Sequence, residues 1–337
     1  MRFHFFTIIL DDSKKYVKGL AFGCLGILFV GFQPIVAVSK PDSIDTYLFA
    51  AMTCFVEAFL FFPIMLLDRR MIKVNGTKGQ LTEEKNHSFL HGWKTNKAVL
   101  IYVGLTFGVG QLLFQTGYLL AGSINGSLAQ KSTVIFSLLF GVIIMKEKVS
   151  KTQIGFSLLL LLGLMIAVTQ GSFNLLEFNL GVLLLLVLAC IWMLAHVITK
   201  KYILDQNNST ATQMVFIRNG ISAIFLLTSY FIIFPLENVS LIFNTVNIIY
   251  YIAMGTVYAI GLFMWYKTLS LIDASKATIL YSPTPIVTAI FSVFLLGKEF
   301  TVYHLIGTII VIISIAMIVK PKSKKNNGKK VEQPKLV

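Results

Sequence analysis

The charged residues of this chain are gathered into short segments that separate apolar runs of about 20 residues. A helix of that length extends about 30 Å, which matches the hydrocarbon thickness of a bilayer. Only 13% of the 337 residues are charged, against about 25% in a typical soluble domain. A soluble helical bundle is excluded because too many of its helices would be apolar on every face. The pattern predicts an all-α polytopic membrane protein.

Ten of the apolar runs are long enough to form transmembrane helices. Their predicted bounds are 17–38, 47–67, 99–120, 122–145, 152–170, 181–199, 211–234, 247–269, 274–296 and 302–319. Placing the N-terminus in the cytoplasm puts 25 of the 29 Lys and Arg residues in cytoplasmic loops and tails, where basic residues are enriched. Lys40 and Lys298 are left outside, while Lys131 and Arg218 lie within spans. We therefore predict that both termini are cytoplasmic and that the chain lies in the plasma membrane of the cell.

The two ends of the chain are predicted to be tails. Residues 1–16 are interpreted as a short cytoplasmic tail and residues 320–337 as a basic, disordered cytoplasmic tail. The net charge of +14 is carried mainly by tails and loops, so it does not indicate a nucleic-acid partner. Cys24, Cys54 and Cys190 lie in apolar runs without metal-ligand spacing. Phosphate-binding and nucleophile motifs are missing, so we expect no enzymatic activity, no cofactor and no ATP-driven pumping.

The chain contains an internal repeat of two halves, residues 17–170 and 181–319. Matching positions are separated by 151 or 152 residues: Gly110–Gly261, Leu120–Leu271, Glu147–Glu299 and Gly155–Gly307. Each half has five predicted spans, and five is odd, so the second half must enter the membrane from the opposite side. Inverted repeats are a transporter architecture in which the substrate site lies between the halves.

Two segments carry a resemblance to a known family. They are "AGSINGSLAQKSTVIFSLLFGVIIMKEKVS" and "LIDASKATILYSPTPIVTAIFSVFLLGKEFT", each a small-residue turn, an apolar helix and a Lys-Glu element. Doubled in a ten-helix pattern over residues 17–319, they resemble the EamA-like branch of the drug/metabolite transporter superfamily. The resemblance implies secondary transport of small metabolites such as amino acids, often export, through a central cavity between helices 1–4 and 6–9. The fifth and tenth helices would then be peripheral.

The chain departs from the pattern of this family at three places. The ninth span has Pro283 and Pro285, but the first half has Thr133 where the corresponding proline would fall. An arginine common in the second helix of the family is found only in the second half, as Arg218, and Glu57 occupies the matching place in the first. The small multidrug relatives of the family have a glutamate in their first helix, whereas this first span has no acidic residue. That difference counts against proton-coupled export of cationic drugs.

Charged side chains within the spans are the first candidates for a site, because a charge at the bilayer centre costs about 2.5–3.5 kcal/mol on insertion scales. Lys131 is expected to face a cavity, unless a shifted span boundary leaves it at the interface. Arg218 either binds an anionic group of the substrate or extends to the cytoplasmic surface. Glu57 either carries a proton or is a fixed partner of Lys131 or Arg218. His196 is either interfacial or a proton relay.

Polar and aromatic side chains in the spans form a second group of candidates. Those with two open interpretations, cavity lining or ordinary helix packing, are Gln33, Gln111, Gln115, Trp192, Tyr258 and Trp265. Pro283 and Pro285 remove backbone donors near the middle of the ninth span and predict a kink or an unwound section. Together with Pro34 they are the predicted hinge residues.

The sequence thus predicts a secondary transporter of small organic metabolites, amino-acid-like or otherwise carboxylate-bearing, that exports its substrate by alternating access. The spans contain two cations and only one acidic residue. This excess of positive charge favours a substrate with a carboxylate. The predicted partners are a small-molecule substrate and the lipid bilayer, with proton coupling as an option and no oligomeric state indicated. The alternatives are efflux of cationic drugs by proton antiport through Glu57, and a non-transporting membrane receptor or structural protein on the same fold.

Overall fold

The structure, a computed structural model, describes residues 2–169, 171–172, 180–297 and 301–319. Side chains are described from residue 14 onward, with a few further gaps. The predicted C-terminal tail, residues 320–337, and the loop residues Lys298 and Glu299 lie outside the described residues.

The described residues form helices and no strands, which confirms the predicted all-α class. The α-helices are α1 (Arg2–Ser39), α2 (Thr46–Thr77), α3 (Glu83–Thr95), α4 (Lys97–Ala121), α5 (Ser123–Gln130), α6 (Thr133–Met145), α7 (Lys151–Thr169), α8 (Leu180–Thr199), α9 (Ala211–Ile233), α10 (Thr245–Leu271), α11 (Ala274–Leu280), α12 (Thr284–Leu296) and α13 (Val302–Val319). A π-helical turn (Lys200–Leu204) extends α8, and a 3₁₀ helix (Leu236–Ile242) follows α9.

Seven helical stretches of the described residues are long and apolar enough to cross a membrane. They are Lys14–Ser39, Thr46–Thr77, Lys97–Ala121, Leu180–Leu204, Ala211–Ile233, Thr245–Leu271 and Ala274–Leu296. Three shorter apolar helices, Thr133–Met145, Lys151–Gly163 and Leu305–Ser314, lie within the remaining predicted spans. The chain is a multi-pass membrane protein, whereas the count of ten spans and the cytoplasmic termini stay predictions.

Three helical segments lie where the sequence predicted tail or loop. Helix α1 begins at Arg2, inside the predicted tail 1–16, and α2 continues to Thr77, ten residues past its predicted end. Helix α3 lies within the predicted loop 68–98. Charged residues mark where a helix leaves the bilayer, but they do not end the helix, because Lys, Arg and Glu are good helix formers.

Polar side chains fix where several helices begin. Asp45 accepts a hydrogen bond from the backbone N–H of Leu48 at 2.8 Å, and Thr210 accepts one from that of Gln213 at 3.2 Å. Asn244 caps α10 in the same way. Each cap satisfies one of the four N–H groups that a helix leaves without an internal partner at its start.

The predicted spans 122–145 and 274–296 are each two helices separated by a short break, and the two broken helices run antiparallel. The Oγ atoms of Ser123 and Ser292 are 3.3 Å apart at one end. At the other end the Ser275 hydroxyl donates to the Ser137 carbonyl at 3.4 Å. This pairing places the two breaks opposite each other at the centre of the bundle.

Helices α7 and α13 form a pair, and none of their described side chains lines the central cavity described below. A methyl group added at Gly163 of α7 would lie 2.8 Å from the Ile310 side chain and 3.2 Å from the Gly307 carbonyl. These two glycines therefore allow close helix packing. Gly155 has no atom within 4 Å of such a methyl group.

Buried side chains form two large clusters, one toward each end of the bundle. One includes Met193, Trp265 and Tyr281, and the other includes Phe114 and Tyr258. The central cavity lies between them, so its walls are held from both sides by packed aromatic side chains.

We expect Gly181→Ala to destabilise the protein. A methyl group there would lie 2.6 Å from the Ala121 backbone nitrogen and 2.7 Å from the Gly117 carbonyl oxygen, so α4 and α8 would have to separate. Overpacking of this kind costs about 1–3 kcal/mol. The measurement is the melting temperature of the purified protein in detergent. Gly155→Ala is the matched control, since it adds the same group in open space, and equal melting temperatures for the two variants would contradict the packing.

Candidate functional site

A cavity of about 110 Å³ lies at the centre of the bundle, large enough for several water molecules. Seven of the predicted site residues lie in its wall: Gln33, Lys131, Trp192, His196, Arg218, Tyr258 and Trp265. They come from α1, from the break after α5, and from α8, α9 and α10. Segments far apart in the sequence thus converge on one space.

The break between α11 and α12 leaves a backbone carbonyl for use by other groups. Pro285 has no N–H, so the Tyr281 carbonyl four residues earlier loses its helical donor. That carbonyl instead accepts from the backbone N–H of Thr284 at 3.2 Å and from the Thr284 hydroxyl at 2.5 Å. The ammonium of Lys131 also donates to it, at 3.0 Å. The predicted interruption at Pro283 and Pro285 is confirmed, and its freed carbonyl is bound by the other half of the chain.

The first half has a matching break without a proline. Helix α5 ends at Gln130 and α6 begins at Thr133, whereas the sequence predicted one continuous span over 122–145. The backbone hydrogen bonds at this break are of the 3₁₀ type, in which an N–H donates to the carbonyl three residues earlier. The Ser132 N–H donates to Ala129 at 3.2 Å, and the Val134 N–H donates to Lys131 at 3.0 Å. The first half is therefore interrupted at the place that corresponds to the proline break of the second half.

Lys131 is 6% exposed, and the described residues of the cavity wall include no Asp or Glu. An ammonium group has three donors, and the Tyr281 carbonyl uses one of them. The group lies at the cavity wall, as the cavity interpretation predicted, and not at an interface. It offers a positive charge and hydrogen-bond donors to a ligand.

Glu57 is fully buried beside Arg218 and does not line the cavity. Its Oε2 atom lies 3.6 Å from Nη2 of Arg218 and accepts a hydrogen bond from Nδ2 of Asn219 at 2.7 Å. The amide oxygen of Asn219 in turn accepts from Nε and Nη2 of Arg218 at 3.1 and 2.9 Å. Of the two open interpretations of Glu57, the geometry favours the fixed partner, and the partner is Arg218 and not Lys131.

Arg218 presents its guanidinium to the cavity from this network. Its Cζ atom lies 4.1 Å from the centre of the Phe107 ring, a cation–π contact. Arg218 is 4% exposed and so does not extend to the cytoplasmic surface. Held by an amide, a carboxylate and a ring, the guanidinium is a fixed positive group at one side of the cavity.

His196 lies in the cavity wall and not at the interface. Its Nδ1 atom accepts a hydrogen bond from Trp265 Nε1 at 2.9 Å, so the ring proton of a neutral imidazole is assigned to Nε2. The ring also contacts Phe107, with centroids 4.7 Å apart. His196 forms no ion pair in the described structure, and its role as a proton relay stays a prediction.

The other polar candidates separate into those at the wall and those away from it. Gln33 lies in the wall, but Gln111 and Gln115 are buried elsewhere, and their Nε2 atoms have no hydrogen-bond partner among the described residues. Helix α1 continues through Pro34, so this proline does not interrupt the chain as Pro283 does. The hinge role of all three prolines stays a prediction.

Some polar atoms of the aromatic wall have no hydrogen-bond partner among the described residues. Nε1 of Trp192 and the hydroxyl of Tyr258 are buried without a hydrogen bond to described residues. A buried polar atom normally has a partner in protein or water, so these atoms can bond to a solute or water in the cavity. The aromatic residues therefore offer hydrogen bonds as well as packing.

The carboxylate of Glu147 closes one end of the two broken helices. It accepts hydrogen bonds from the backbone N–H groups of Ala274 and Ser275 at 2.9 and 3.3 Å and from the Ser275 hydroxyl. It thereby caps α11 from the other half of the chain, a position where a negative charge is also favoured. Gly141 makes room for this contact, since an added methyl group would lie 2.8 Å from Oε2 of Glu147.

Sequence reasoning missed several residues of the site. Phe107, Gln130, Met193, Thr278 and Tyr281 line the cavity, and Asn219 connects Glu57 with Arg218. Gln130 and Asn219 adjoin the predicted Lys131 and Arg218, so proximity to a buried charge was an available signal. The apolar residues carry no signal that separates them from ordinary packing.

Comparison with known proteins gives a family and a fold. The profile of the EamA-like transporter family matches residues 17–169 and 179–320. The "Uncharacterized transporter YyaM" of Bacillus subtilis (strain 168) is 25% identical over 220 residues, which cover 64% of this chain and 70% of that protein. A crystal structure of a chain 13% identical superposes with a TM-score of 0.65, covering 89% of this chain and 97% of that one. The last likeness concerns the fold alone.

We expect Glu57→Gln and Arg218→Gln each to destabilise the protein strongly, since removing one partner of a buried ion pair costs about 3–5 kcal/mol. The double variant should lose less than the sum of the two, because no charge is then left without its partner. The measurement is a double-mutant cycle: the melting temperatures in detergent of the unaltered protein, the two single variants and the double variant. Glu84→Gln, on the exposed surface of α3, is the control and should melt like the unaltered protein. If the double variant loses as much stability as the two single variants together, the two charges do not interact.

Proposed function

Because the chain belongs to the EamA-like transporter family, we propose that it is a secondary transporter that exports small organic solutes bearing a carboxylate, such as amino acids. One observation carries the proposal: the described wall of the cavity contains Lys131 and Arg218 and no acidic residue. A carboxylate that enters this space loses its hydrogen bonds to water. It forms charge-assisted hydrogen bonds to an ammonium and a guanidinium group in their place.

The aromatic part of the wall supports a solute with an organic body beside its charge. Trp192, Tyr258 and Trp265 supply apolar faces, and two of them offer an unpaired donor. Binding sites for small molecules combine such apolar surface with a few placed polar groups. The cavity volume of about 110 Å³ favours a small solute over a bulky drug.

The paired breaks support alternating access. Helices cross a membrane unbroken unless the freed backbone groups are satisfied inside the protein. Here the Tyr281 carbonyl accepts from Thr284 and from Lys131 of the other half. Hydrogen bonds that involve side chains join the two broken helices at their ends. Glu147 and Ser275 form them at one end, and Ser123 with Ser292 at the other. Opening one end while the other stays closed is the movement that an inverted repeat permits.

Proton antiport of cationic drugs through Glu57 has less support. Glu57 is held by Arg218 and Asn219 and does not line the cavity. A drug cation would meet two positive groups in the wall without a counter-charge among the described residues. The proposal therefore gives Glu57 a positioning role, in which it holds the guanidinium of Arg218.

We expect the protein, reconstituted in liposomes, to move ¹⁴C-labelled amino acids faster than protein-free liposomes do. Lys131→Gln should lower that flux at least tenfold, because the neutral amide keeps a donor but loses the charge that attracts a carboxylate. Lys85→Gln on the exposed face of α3 is the control and should leave the flux unchanged. Melting temperatures of both variants separate a lost contact from a lost fold.

Two results would overturn the proposed function. One is flux of tetraphenylphosphonium, a lipophilic cation, without flux of any amino acid. The other is the absence of flux for every probe from a protein that melts cooperatively, which would favour a non-transporting receptor on the same fold.

We further expect Glu147→Ala to open the end of the cavity that this carboxylate closes. The probe is Thr133→Cys in the cavity wall, in a background where Cys24, Cys54 and Cys190 are replaced by alanine. An impermeant maleimide applied from the side on which Glu147 lies should label this position several-fold faster in the Glu147→Ala variant. Glu84→Ala is the control, and unchanged labelling from both sides would show that Glu147 holds no gate.

A further inference from the structure

A second concave surface lies on the outside of the bundle. It is a groove of about 530 Å³ between α2, α4 and α9, with α3 at one end, and it shares no residue with the central cavity. The proposed transport mechanism does not use it.

One end of the groove is polar and basic. Lys97 is the first residue of α4, and Gln213 lies in the first turn of α9. Arg69 comes from the last third of α2, and Trp93 from α3. The described lining contains these two cations and no acid. The positive-inside pattern predicts that this end lies at the cytoplasmic surface of the membrane.

The body of the groove is apolar and open to lipid. Leu66, Ile101 and Ile224 line it and are largely exposed. From Gln213 to Ile224 is eleven residues of α9, or about 16 Å at 1.5 Å per residue. Gly220 lies between them, and a methyl group added there would meet nothing within 4 Å. The groove is therefore shaped for a ligand with a polar head and a long apolar chain.

The polar end has donors that the protein does not use. Gln213 is 1% exposed, and its Oε1 accepts from the Ser209 hydroxyl at 3.0 Å, but its Nε2 has no partner among the described residues. Arg69 donates one hydrogen bond, from Nη2 to the Leu90 carbonyl at 2.9 Å, and a guanidinium has five N–H groups. Lys97 is exposed. A buried amide donor without a partner, beside two cations, points to an anionic ligand.

We propose that this groove binds an anionic phospholipid of the cytoplasmic leaflet. Its phosphate is held by Arg69 and Lys97 with a hydrogen bond from Gln213, and one acyl chain lies along α9 over Gly220. Basic pockets between transmembrane helices on the cytoplasmic side bind anionic headgroups, and tryptophan is enriched at that depth. A second copy of the chain fits less well, because a two-fold contact would bring these cations together.

Native mass spectrometry of the protein, exchanged into detergent with equal amounts of phosphatidylglycerol and phosphatidylcholine, tests the headgroup. We expect the protein to retain at least fivefold more phosphatidylglycerol than phosphatidylcholine. Lys97→Gln and Arg69→Gln should each lower that excess at least threefold, whereas Lys85→Gln on α3 should not. Lys97 contacts no other element through a hydrogen bond in the described structure, so its variant separates lipid binding from folding.

The proposed position of the acyl chain over Gly220 is tested by filling that part of the groove with a larger side chain. Gly220→Leu should lower phosphatidylglycerol retention at least threefold, while Gly155→Leu, which adds the same side chain at an equally open glycine of α7, should not. Equal retention of the two lipids, or variants that all retain phosphatidylglycerol as the unaltered protein does, would overturn the proposal. So would a dimer of the unaltered protein that Gly220→Leu converts to a monomer, since the occupant would then be a second copy. Amino-acid flux through the central cavity is a separate measurement and does not decide this result.

Discussion

The contact between Lys131 and the Tyr281 carbonyl joins the two breaks on which the centre of this fold depends. The Tyr281 carbonyl has lost its α-helical donor at Pro285 and accepts from the N–H and the hydroxyl of Thr284. An ammonium group without a partner is costly inside a membrane. Bound to each other at 3.0 Å, the carbonyl and the ammonium group satisfy part of each other's hydrogen-bonding needs. The two broken helices can therefore meet at the middle of the bundle and leave a cavity there.

A second buried network acts beside this contact and has a different character. Arg218, Asn219 and Glu57 are joined by several hydrogen bonds and an ion pair, and the Phe107 ring covers the guanidinium. Such a network holds a charge rigidly, whereas Lys131 has one described hydrogen bond and a flexible stem. The proposed site thus combines a fixed cation with one that can adjust to a ligand.

Some of this arrangement was predictable and some was not, for physical reasons. Apolar runs predict helices because the bilayer demands internal hydrogen bonding, and buried charges such as Lys131 and Arg218 predict the site because they are costly elsewhere. The break after Gln130 carries no proline that would announce it in the sequence, and its Lys131 contacts a carbonyl 150 residues away. The pairing of Glu57 with Arg218 and not Lys131 also depends on how helices pack. Gln111 and Gln115 show that a polar side chain in a span does not by itself indicate a cavity.

The cap that Glu147 places on α11 has a consequence for how such a chain assembles. Asp273 precedes α11 but gives it no side-chain cap, so this helix receives its capping carboxylate from the first half of the chain. During synthesis the first half emerges with Glu147 facing no partner, and the N–H groups of α11 gain theirs only when the second half docks. The two halves therefore finish folding together, and a cut in the linker between them would yield fragments that have to find each other in the membrane.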